Sequence, residues 1–123
     1  MPSFLLLFRD DTAYGDPSSR PDQAALYQRF VAWADKLHQE ERLLGVERLE
    51  HGSGDSGART VRRRGGRLVV DGPFAEGKEA VLGYFIVEAK DEEEAARIAR
   101  DCPGLDDACA VEIRRVAPFP KPK

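Results

Sequence analysis

The sequence has 123 residues, of which 41% are hydrophobic and 33% charged. This length accommodates one compact domain and excludes two of ordinary size. The 19 basic and 22 acidic side chains give a formal net charge of -3, so no overall positive field attracts nucleic acid or an anionic membrane. The longest apolar stretch, Phe4 to Phe8, is far short of the roughly 20 residues of a membrane span. It also lacks the basic start of a signal peptide.

The two cysteines, Cys102 and Cys109, do not form a CxxC motif. A chain of this size without a disulfide framework is typical of the cytoplasm. We therefore expect free thiols, a cytoplasmic location and a single domain over residues 1–123, with its core over about residues 3–117.

The first half of the chain contains a strand, a helix and a second strand. Residues 3–9 show no alternation of apolar and polar side chains, so this strand needs apolar cover on both faces. Pro21 opens a helix predicted over about residues 21–43. Its inward-facing positions recur every three, four or seven residues: Leu26, Phe30, Trp33, Ala34, Leu37 and Leu44. Gly45 is the predicted C-cap, and a short strand from Val46 to Glu50 follows.

A β-hairpin is predicted in the middle of the chain. Residues 51–57 contain three glycines and two serines, which favour a loop. Residues 59–64 and 67–71 then flank Gly65-Gly66, a dipeptide that suits a two-residue hairpin turn. Residues 72–79 are predicted to form another loop.

The last third of the chain repeats the strand-helix-strand order. Residues 81–87 form a second strand that is apolar on both faces, so it could lie beside the first. Asp91 is the predicted N-cap of a helix that runs to the stop signal at Pro103, with Glu94 completing a capping box. A last strand from Cys109 to Val116 places Cys109 and Val111 on one face. Prolines exclude regular structure from the tail, residues 118–123.

This order predicts the fold class α+β, as a ferredoxin-like sandwich with an added β-hairpin. Its antiparallel sheet would carry both helices on one face. The two strands that are apolar on both faces need cover on the other face as well, and a second copy of the sheet would supply it. We therefore predict a homodimer with the architecture of a dimeric α+β barrel.

A family resemblance begins at Val69-Val-Asp-Gly-Pro-Phe-Ala-Glu-Gly-Lys-Glu79. Its Asp71-Gly-Pro-Phe74 resembles the motif that names the DGPF branch of the YCII-related proteins. Other segments agree with the family's order: Thr-Val-Arg at 60–62, Gly-Tyr-Phe-Ile at 83–86, Glu-Ala-Ala at 94–96, Cys-Pro at 102–103 and Val-Glu-Ile-Arg at 111–114. The resemblance covers roughly residues 3–117.

The resemblance implies a dimeric α+β barrel with a pocket in which the motif aspartate, here Asp71, is the candidate acid or base. Some YCII-related proteins pair that aspartate with a histidine from near the start of the chain. No histidine lies between Met1 and Leu37 here, so the dyad is not carried over. Family members are also encoded near, or fused to, extracytoplasmic-function sigma factors, although this sequence contains no helix-turn-helix pattern.

Five residues are the candidates for a site at the sheet edge. Asp71, where a strand ends, is the candidate general acid or base, although an aspartate before Gly-Pro also commonly caps the turn. Phe74 either walls the pocket or seals the core, and the core is favoured. Arg9, Tyr14 and Tyr84 are candidate contacts for a small anionic or phenolic ligand. Loop charges at Glu76, Lys78 and Glu79 are expected to be solvated.

Neither a metal nor a cofactor is predicted. His38 is expected on the helix surface, and His51 is the histidine that could reach Asp71. Two scattered histidines without CxxC or HExxH do not support a metal site. The sequence also lacks GxxxxGK[ST] and a GxGxxG that follows a strand, so a nucleotide cofactor has no anchor.

Five arginines at positions 59, 62, 63, 64 and 67 are concentrated in the hairpin. They could bind phosphate, but charged side chains on an exposed hairpin commonly prevent edge-to-edge pairing, and this interpretation is favoured. We expect no specific nucleic-acid partner.

Two hypotheses of function follow. In the first, a cytoplasmic homodimer binds a small organic molecule and acts on it without a cofactor, by proton transfer or elimination at Asp71. In the alternative, the same pocket senses a ligand without catalysis, in a regulatory or protein-interaction module linked to sigma-factor function.

Overall fold

A computed structural model describes residues 1–10, 23–49, 60–71, 80–105 and 109–122. The elements in chain order are β1 Ser3–Asp10, α1 Gln23–Gln39, β2 Leu43–Arg48, β3 Thr60–Arg64, β4 Arg67–Asp71, β5 Ala80–Glu88, α2 Glu92–Ala99 and β6 Cys109–Arg115. The α+β class is confirmed. Neither described helix is long and apolar enough to span a membrane.

Four strands form an open antiparallel sheet with the order β2-β5-β1-β6. The two strands predicted to be apolar on both faces, β1 and β5, pair directly at its centre. The described strands of one chain do not close a barrel. The predicted hairpin is confirmed as a separate two-stranded sheet of β3 and β4, because Gly65 and Gly66 adopt the positive φ angles, 56° and 80°, that its turn requires.

The core lies between one face of the sheet and both helices. Phe4, Leu6 and Phe8 alternate into it from β1, and Phe85 and Val87 enter it from β5. The buried helix residues of the same cluster are Trp33, Leu37, Ala95 and Ala99. Because both helices contribute to one cluster, they cover the same face of the sheet.

The opposite face of the sheet, which we call the open face, carries a half-buried apolar strip. Leu5 and Leu7 of β1 alternate with the core residues of that strand, and they pair with Ile86 and Tyr84 of β5. Cross-strand partners point to the same side of a sheet. No described helix covers these four side chains.

The prediction for the end of the first helix is wrong. The helix ends at Gln39 rather than near residue 43, and Glu41 adopts the positive φ angle of 59° that Gly45 was expected to supply. Gly45 lies within β2, opposite Ile86. Leu43 pairs with Val87 of β5. The chain therefore already belongs to the sheet at residues whose apolar spacing would also fit a longer helix.

The second helix begins as predicted, with one difference in its cap. The Asp91 carboxylate accepts a hydrogen bond from the Glu94 N–H at 2.9 Å. The Glu94 carboxylate accepts from the Lys90 N–H, also at 2.9 Å, whereas a capping box would place it on the Asp91 N–H. The helix ends at Ala99, and its C-cap residue is Arg100, three residues before Pro103. Residues 116–122 have no regular structure, as the prolines predict.

Candidate functional site

A cleft of about 330 Å³ lies between α1 and the β2-β5 side of the sheet. This volume is in the range of sites for small organic molecules. The lining is largely apolar, with side chains from α1 and from the strands: Leu26, Phe30, Val31, Val46, Leu82 and Phe85. The cleft lies on the helix-covered side of the sheet, not on the open face.

Aromatic side chains form the inner wall of the cleft. The Phe8 ring lies edge-on to Phe30 and Phe85, with centroid distances of 5.3 and 5.0 Å. Trp33 backs this wall, 4.9 Å from the Phe85 ring, and is only 6% exposed. Tight aromatic packing of this kind fixes the shape of the wall.

One cation lies at the cleft. The Arg48 guanidinium is 4.7 Å from the centre of the Tyr27 ring, and both residues line the cavity. A guanidinium that rests on an aromatic face keeps its N–H groups in its own plane, where they can donate to a carboxylate. The Tyr27 contact thus orients a donor group at the edge of an apolar cavity.

Gly83 brings the two cleft strands together. It lies opposite Arg48, and a Cβ atom at Gly83 would come within 2.4 Å of the Glu47 carbonyl oxygen and 3.2 Å of the Arg48 Cα. Only glycine permits this approach of β2 to β5. The position of Arg48 at the cleft therefore depends on Gly83.

The cleft also has an acidic component. Asp35 of α1 lines it together with Arg48, whereas the Glu47 side chain lies on the open face, because its cross-strand partner is Tyr84. None of the described lining residues is a histidine, cysteine, serine or lysine. This part of the chain therefore offers a shaped apolar surface, a guanidinium and a carboxylate, a combination suited to binding and orienting a ligand.

Two of the predicted ligand contacts, Arg9 and Tyr84, lie elsewhere. Both are on the open face, because Tyr84 pairs with Leu7, and Arg9 follows Leu7 by two residues. The Arg9 guanidinium lies 3.3 Å from the Glu112 carboxylate. Arg114 donates a hydrogen bond to the same carboxylate, and this bond, with the charge of Arg114, holds the pKa of Glu112 below its usual value.

Comparison with known proteins identifies the family. The model of the YCII-related domain matches residues 10–120. The chain belongs to the YCII-related family. It is also similar to an uncharacterized protein of Rhizobium meliloti (strain 1021), with 36% identity over 92% of this chain and 90% of that protein. The resemblance seen in the sequence is thus confirmed.

The motif aspartate of this YCII-related chain lies at the end of the hairpin. Asp71 is the last residue of β4, and its backbone pairs with Thr60 of β3. The side chain of Asp71 lies outside what the structure describes, as do Tyr14, Phe74 and His51. His38 is exposed on α1, as predicted.

Sequence reasoning missed Tyr27, Asp35 and Arg48 as cleft residues. Tyr27 adjoins Leu26, and Asp35 adjoins Ala34, next to positions predicted to face inward. The signal that could have identified Tyr27 was the position of a tyrosine beside the apolar stripe of the helix, since tyrosine combines an apolar ring with a polar tip. Arg48 gave no comparable signal, because its contact with Tyr27 depends on how the helix and the strand are placed in space.

Proposed function

We propose that this YCII-related protein is a cytoplasmic homodimer that binds a small organic molecule in the cleft between α1 and β2. The observation that carries the proposal is the combination, in one cavity of about 330 Å³, of an aromatic wall with the oriented guanidinium of Arg48. Pockets that bind small molecules commonly join a predominantly apolar lining with a few polar groups that fix orientation.

The lining defines the chemical class of the ligand. An aromatic or branched aliphatic body would pack against Phe8, Phe30 and Phe85. A carboxylate or a phenolate would accept hydrogen bonds from Arg48. Asp35 would repel a second negative charge, so the ligand should be a monoanion or a phenol rather than a di- or triphosphate.

Binding can be measured through Trp33, the one tryptophan of the chain. Because Trp33 contacts the Phe85 ring of the cleft wall, a bound ligand should change its emission. The purified protein would be titrated with benzoate, phenylacetate, phenol and isovalerate. We expect saturable changes for the aromatic acids, and no response to any of these probes would contradict the proposal.

Two arginine variants test the role of the guanidinium. Arg48→Gln should weaken binding of the aromatic acids by about tenfold, equivalent to about 1.4 kcal/mol. Arg63→Gln, which removes the same charge from the exposed hairpin, is the matched control and should bind as wild type. Equal affinities in both variants would exclude Arg48 as a ligand contact.

The homodimer is the second part of the proposal. The strand order β2-β5-β1-β6 with both helices on one face supports a ferredoxin-like arrangement, whose other sheet face requires a partner when it is apolar. On the open face, Leu5, Leu7, Tyr84 and Ile86 form an apolar strip on the two central strands. A second copy packed face to face would bury this strip and complete a dimeric α+β barrel.

Catalysis is assigned to Asp71, as the acid or base of the family motif, acting by proton transfer or elimination without a cofactor. The contact residues Arg9, Tyr14, Phe74 and Tyr84 stay predictions for a ligand held near Asp71, at a place separate from the cleft, since Arg9 and Tyr84 lie on the open face. The alternative is ligand sensing in a regulatory module. It is favoured by the composition of the cleft, since the described lining includes no histidine, cysteine, serine or lysine. Product analysis after incubation with the probes that bind distinguishes the two: turnover supports catalysis, and binding without turnover supports sensing.

A further inference from the structure

The two cysteines meet at the junction between α2 and β6. Cys102 follows the helix and Cys109 begins the strand. Both side chains belong to the hydrophobic core, with exposures of only 5% and 8%. The Leu105 N–H donates to the Cys102 carbonyl at 3.3 Å, and the Cys109 N–H donates to the Gly104 carbonyl at 3.1 Å. These two hydrogen bonds bring Cys109 back toward Cys102.

Gly104 makes this close approach possible. A Cβ atom at Gly104 would lie 2.8 Å from the Cys109 Cβ and 3.2 Å from its sulfur, distances that no real side chain tolerates without movement. The Cys109 thiol lies 3.8 Å from the Ala110 carbonyl oxygen, and a hydrogen bond also links it with the Cys102 thiol. Cys102 and Cys109 are therefore neighbours within the buried core.

The surroundings of Cys102 favour its thiolate. The hydrogen bond from Cys109 lowers the pKa of the Cys102 thiol, the Gly104 N–H and the charge of Arg29 act in the same direction, and burial opposes them. Arg29 is fixed nearby, because its guanidinium donates to the Pro103 carbonyl at 3.0 Å. A cysteine buried among apolar groups alone would have a raised pKa and be inert.

We propose that Cys102 and Cys109 form a redox pair that hydrogen peroxide converts reversibly into an intramolecular disulfide. Cys102 is the attacking sulfur, since it interacts with the Gly104 N–H and the Cys109 thiol, and the charge of Arg29 is held nearby by the Pro103 carbonyl. Cys109 is the resolving sulfur. The oxidant is hydrogen peroxide, because this molecule is small enough to reach a nearly buried thiol.

The reaction balances in two steps. The Cys102 thiolate attacks one peroxide oxygen, the O–O bond breaks, hydroxide leaves with a proton as water, and a sulfenic acid forms. The Cys109 thiol then attacks the Cys102 sulfur, the S–O bond breaks, and the departing hydroxide takes the thiol proton to leave as a second water. The two sulfurs have then given two electrons to the peroxide. A dithiol reductant reverses the change.

This inference is independent of the ligand proposed for the cleft. A Cβ atom at Gly104 would also lie 3.7 Å from the Phe30 ring, which places the pair behind the cleft wall and not within the cavity. No cleft-lining residue takes part in the chemistry. The test therefore needs no ligand, and its failure would leave the proposed function unaffected.

Mass spectrometry of the folded protein tests the pair. Reduced, full-length protein is exposed to hydrogen peroxide in native buffer, quenched, denatured, alkylated and digested with trypsin. Both cysteines lie in the single tryptic peptide 101–114. We expect this peptide to lose two hydrogen atoms and resist alkylation, with full alkylation restored by dithiothreitol. Two alkyl groups after exposure, oxidation only in unfolded protein, or linkage between two chains would each overturn the proposal.

Variants assign the two roles. Cys109→Ser should stop the reaction at a Cys102 sulfenic acid, which dimedone traps, whereas Cys102→Ser should give little dimedone adduct at Cys109. Arg29→Gln should form the disulfide several-fold more slowly, and Arg63→Gln on the hairpin should react at the wild-type rate. Equal adduct formation at either cysteine alone would overturn the assignment of Cys102 as the attacking sulfur. The wild-type result decides the proposal even where a serine variant folds poorly.

Discussion

The Arg42 guanidinium, immediately before β2, lies 2.7 Å from the Glu94 carboxylate in the first turn of α2. The same Arg42 nitrogen donates to the Glu88 carbonyl at the end of β5, at 3.2 Å. Glu94 in turn accepts from the Lys90 N–H. One arginine thus links an edge strand, a central strand and a helix, and it connects the first half of the chain with the second.

This connection makes stability depend on pH. The Lys90 N–H and then Arg42 hold the pKa of Glu94 below its ordinary value of 4.5. A carboxylate with a depressed pKa stabilises the folded state above its ordinary pKa and loses that effect as the pH falls through the lowered value. Glu94→Gln should therefore be less stable than wild type at pH 7, with a difference that shrinks below pH 4.5.

Urea unfolding across a pH series measures this difference. Glu93→Gln is the matched control, because it removes the same charge from the same helical turn at an exposed position. The free energy of unfolding of Glu93→Gln should follow the pH profile of the wild type more closely than that of Glu94→Gln does. If the difference in unfolding free energy between Glu94→Gln and wild type is unchanged from pH 7 to pH 3, the ion pair does not cause that difference.

Substitution by alanine is expected to have different effects on stability at Gly83 and at Gly45. Gly83→Ala should lower the free energy of unfolding by about 1–3 kcal/mol, as overpacking does, because its Cβ would meet the Glu47 carbonyl oxygen at 2.4 Å. Gly45→Ala should be tolerated, since its Cβ would lie 3.6 Å from the nearest Ile86 atom. Urea unfolding of both variants checks this, and equal stabilities would contradict the close packing of β2 on β5.

Gly45 also shows where sequence reasoning succeeds and where it fails. The apolar run near the start of β1, the Gly65-Gly66 turn and the Asp91 cap are local signals, and the structure confirms the strand, the turn and the cap. The C-cap at Gly45 was wrong because the apolar spacing from Leu37 to Leu44 fits a helix, whereas Leu43 pairs with Val87 far along the chain. Pairing between distant segments overrides local propensity.

The candidate site was less predictable than the fold. The strands that carry Arg9 and Tyr84 were expected to lie side by side, which the pairing of β1 with β5 confirms, and the two residues share the open face. The cleft itself arises from the space left between α1 and an edge strand. No spacing rule describes such a gap, so the pairing of Arg48 with Tyr27 could be found only in three dimensions.

Dimerisation can be tested on the open face at Leu7. This residue lies between Tyr84 and Glu112 on the neighbouring strands. Light scattering of the wild type should give twice the chain mass of 13.7 kDa. Leu7→Lys should weaken association by about a hundredfold, or about 3 kcal/mol, because the dimer would then bury a lysine charge from each copy.

A lysine elsewhere controls for the added charge. Ala32→Lys places it on the exposed side of α1, and this variant should remain a dimer. A wild-type protein that is monomeric at micromolar concentration and melts cooperatively would refute the dimer.

Asp71→Asn separates catalysis from turn capping. The amide keeps an acceptor oxygen for the turn but cannot exchange the proton. We expect a nearly unchanged melting temperature, retained binding of the probe acids and loss of any turnover that the wild type shows. A large fall in melting temperature with unchanged turnover would mean that Asp71 only caps the turn.

The arginine hairpin is predicted not to bind nucleic acid specifically. The register places Arg63 opposite Leu68, and Arg62 and Arg64 opposite Val69 and Arg67, so the described guanidinium groups divide between two faces. Arg62, Arg64 and Arg67 share one face, enough for a few phosphate contacts. No aromatic residue lies between positions 59 and 67 to stack on a base.

Fluorescence anisotropy with labelled DNA and RNA across a salt series measures this affinity. Binding should be weak and independent of sequence, with a slope of log K against log salt no steeper than about −3 for three phosphate contacts. Arg64→Gln should reduce that slope by about one phosphate contact, while Arg48→Gln should leave it unchanged. Submicromolar, sequence-dependent binding at physiological salt would contradict this prediction and favour a regulatory role, because the hairpin would then recognise bases and not only phosphates.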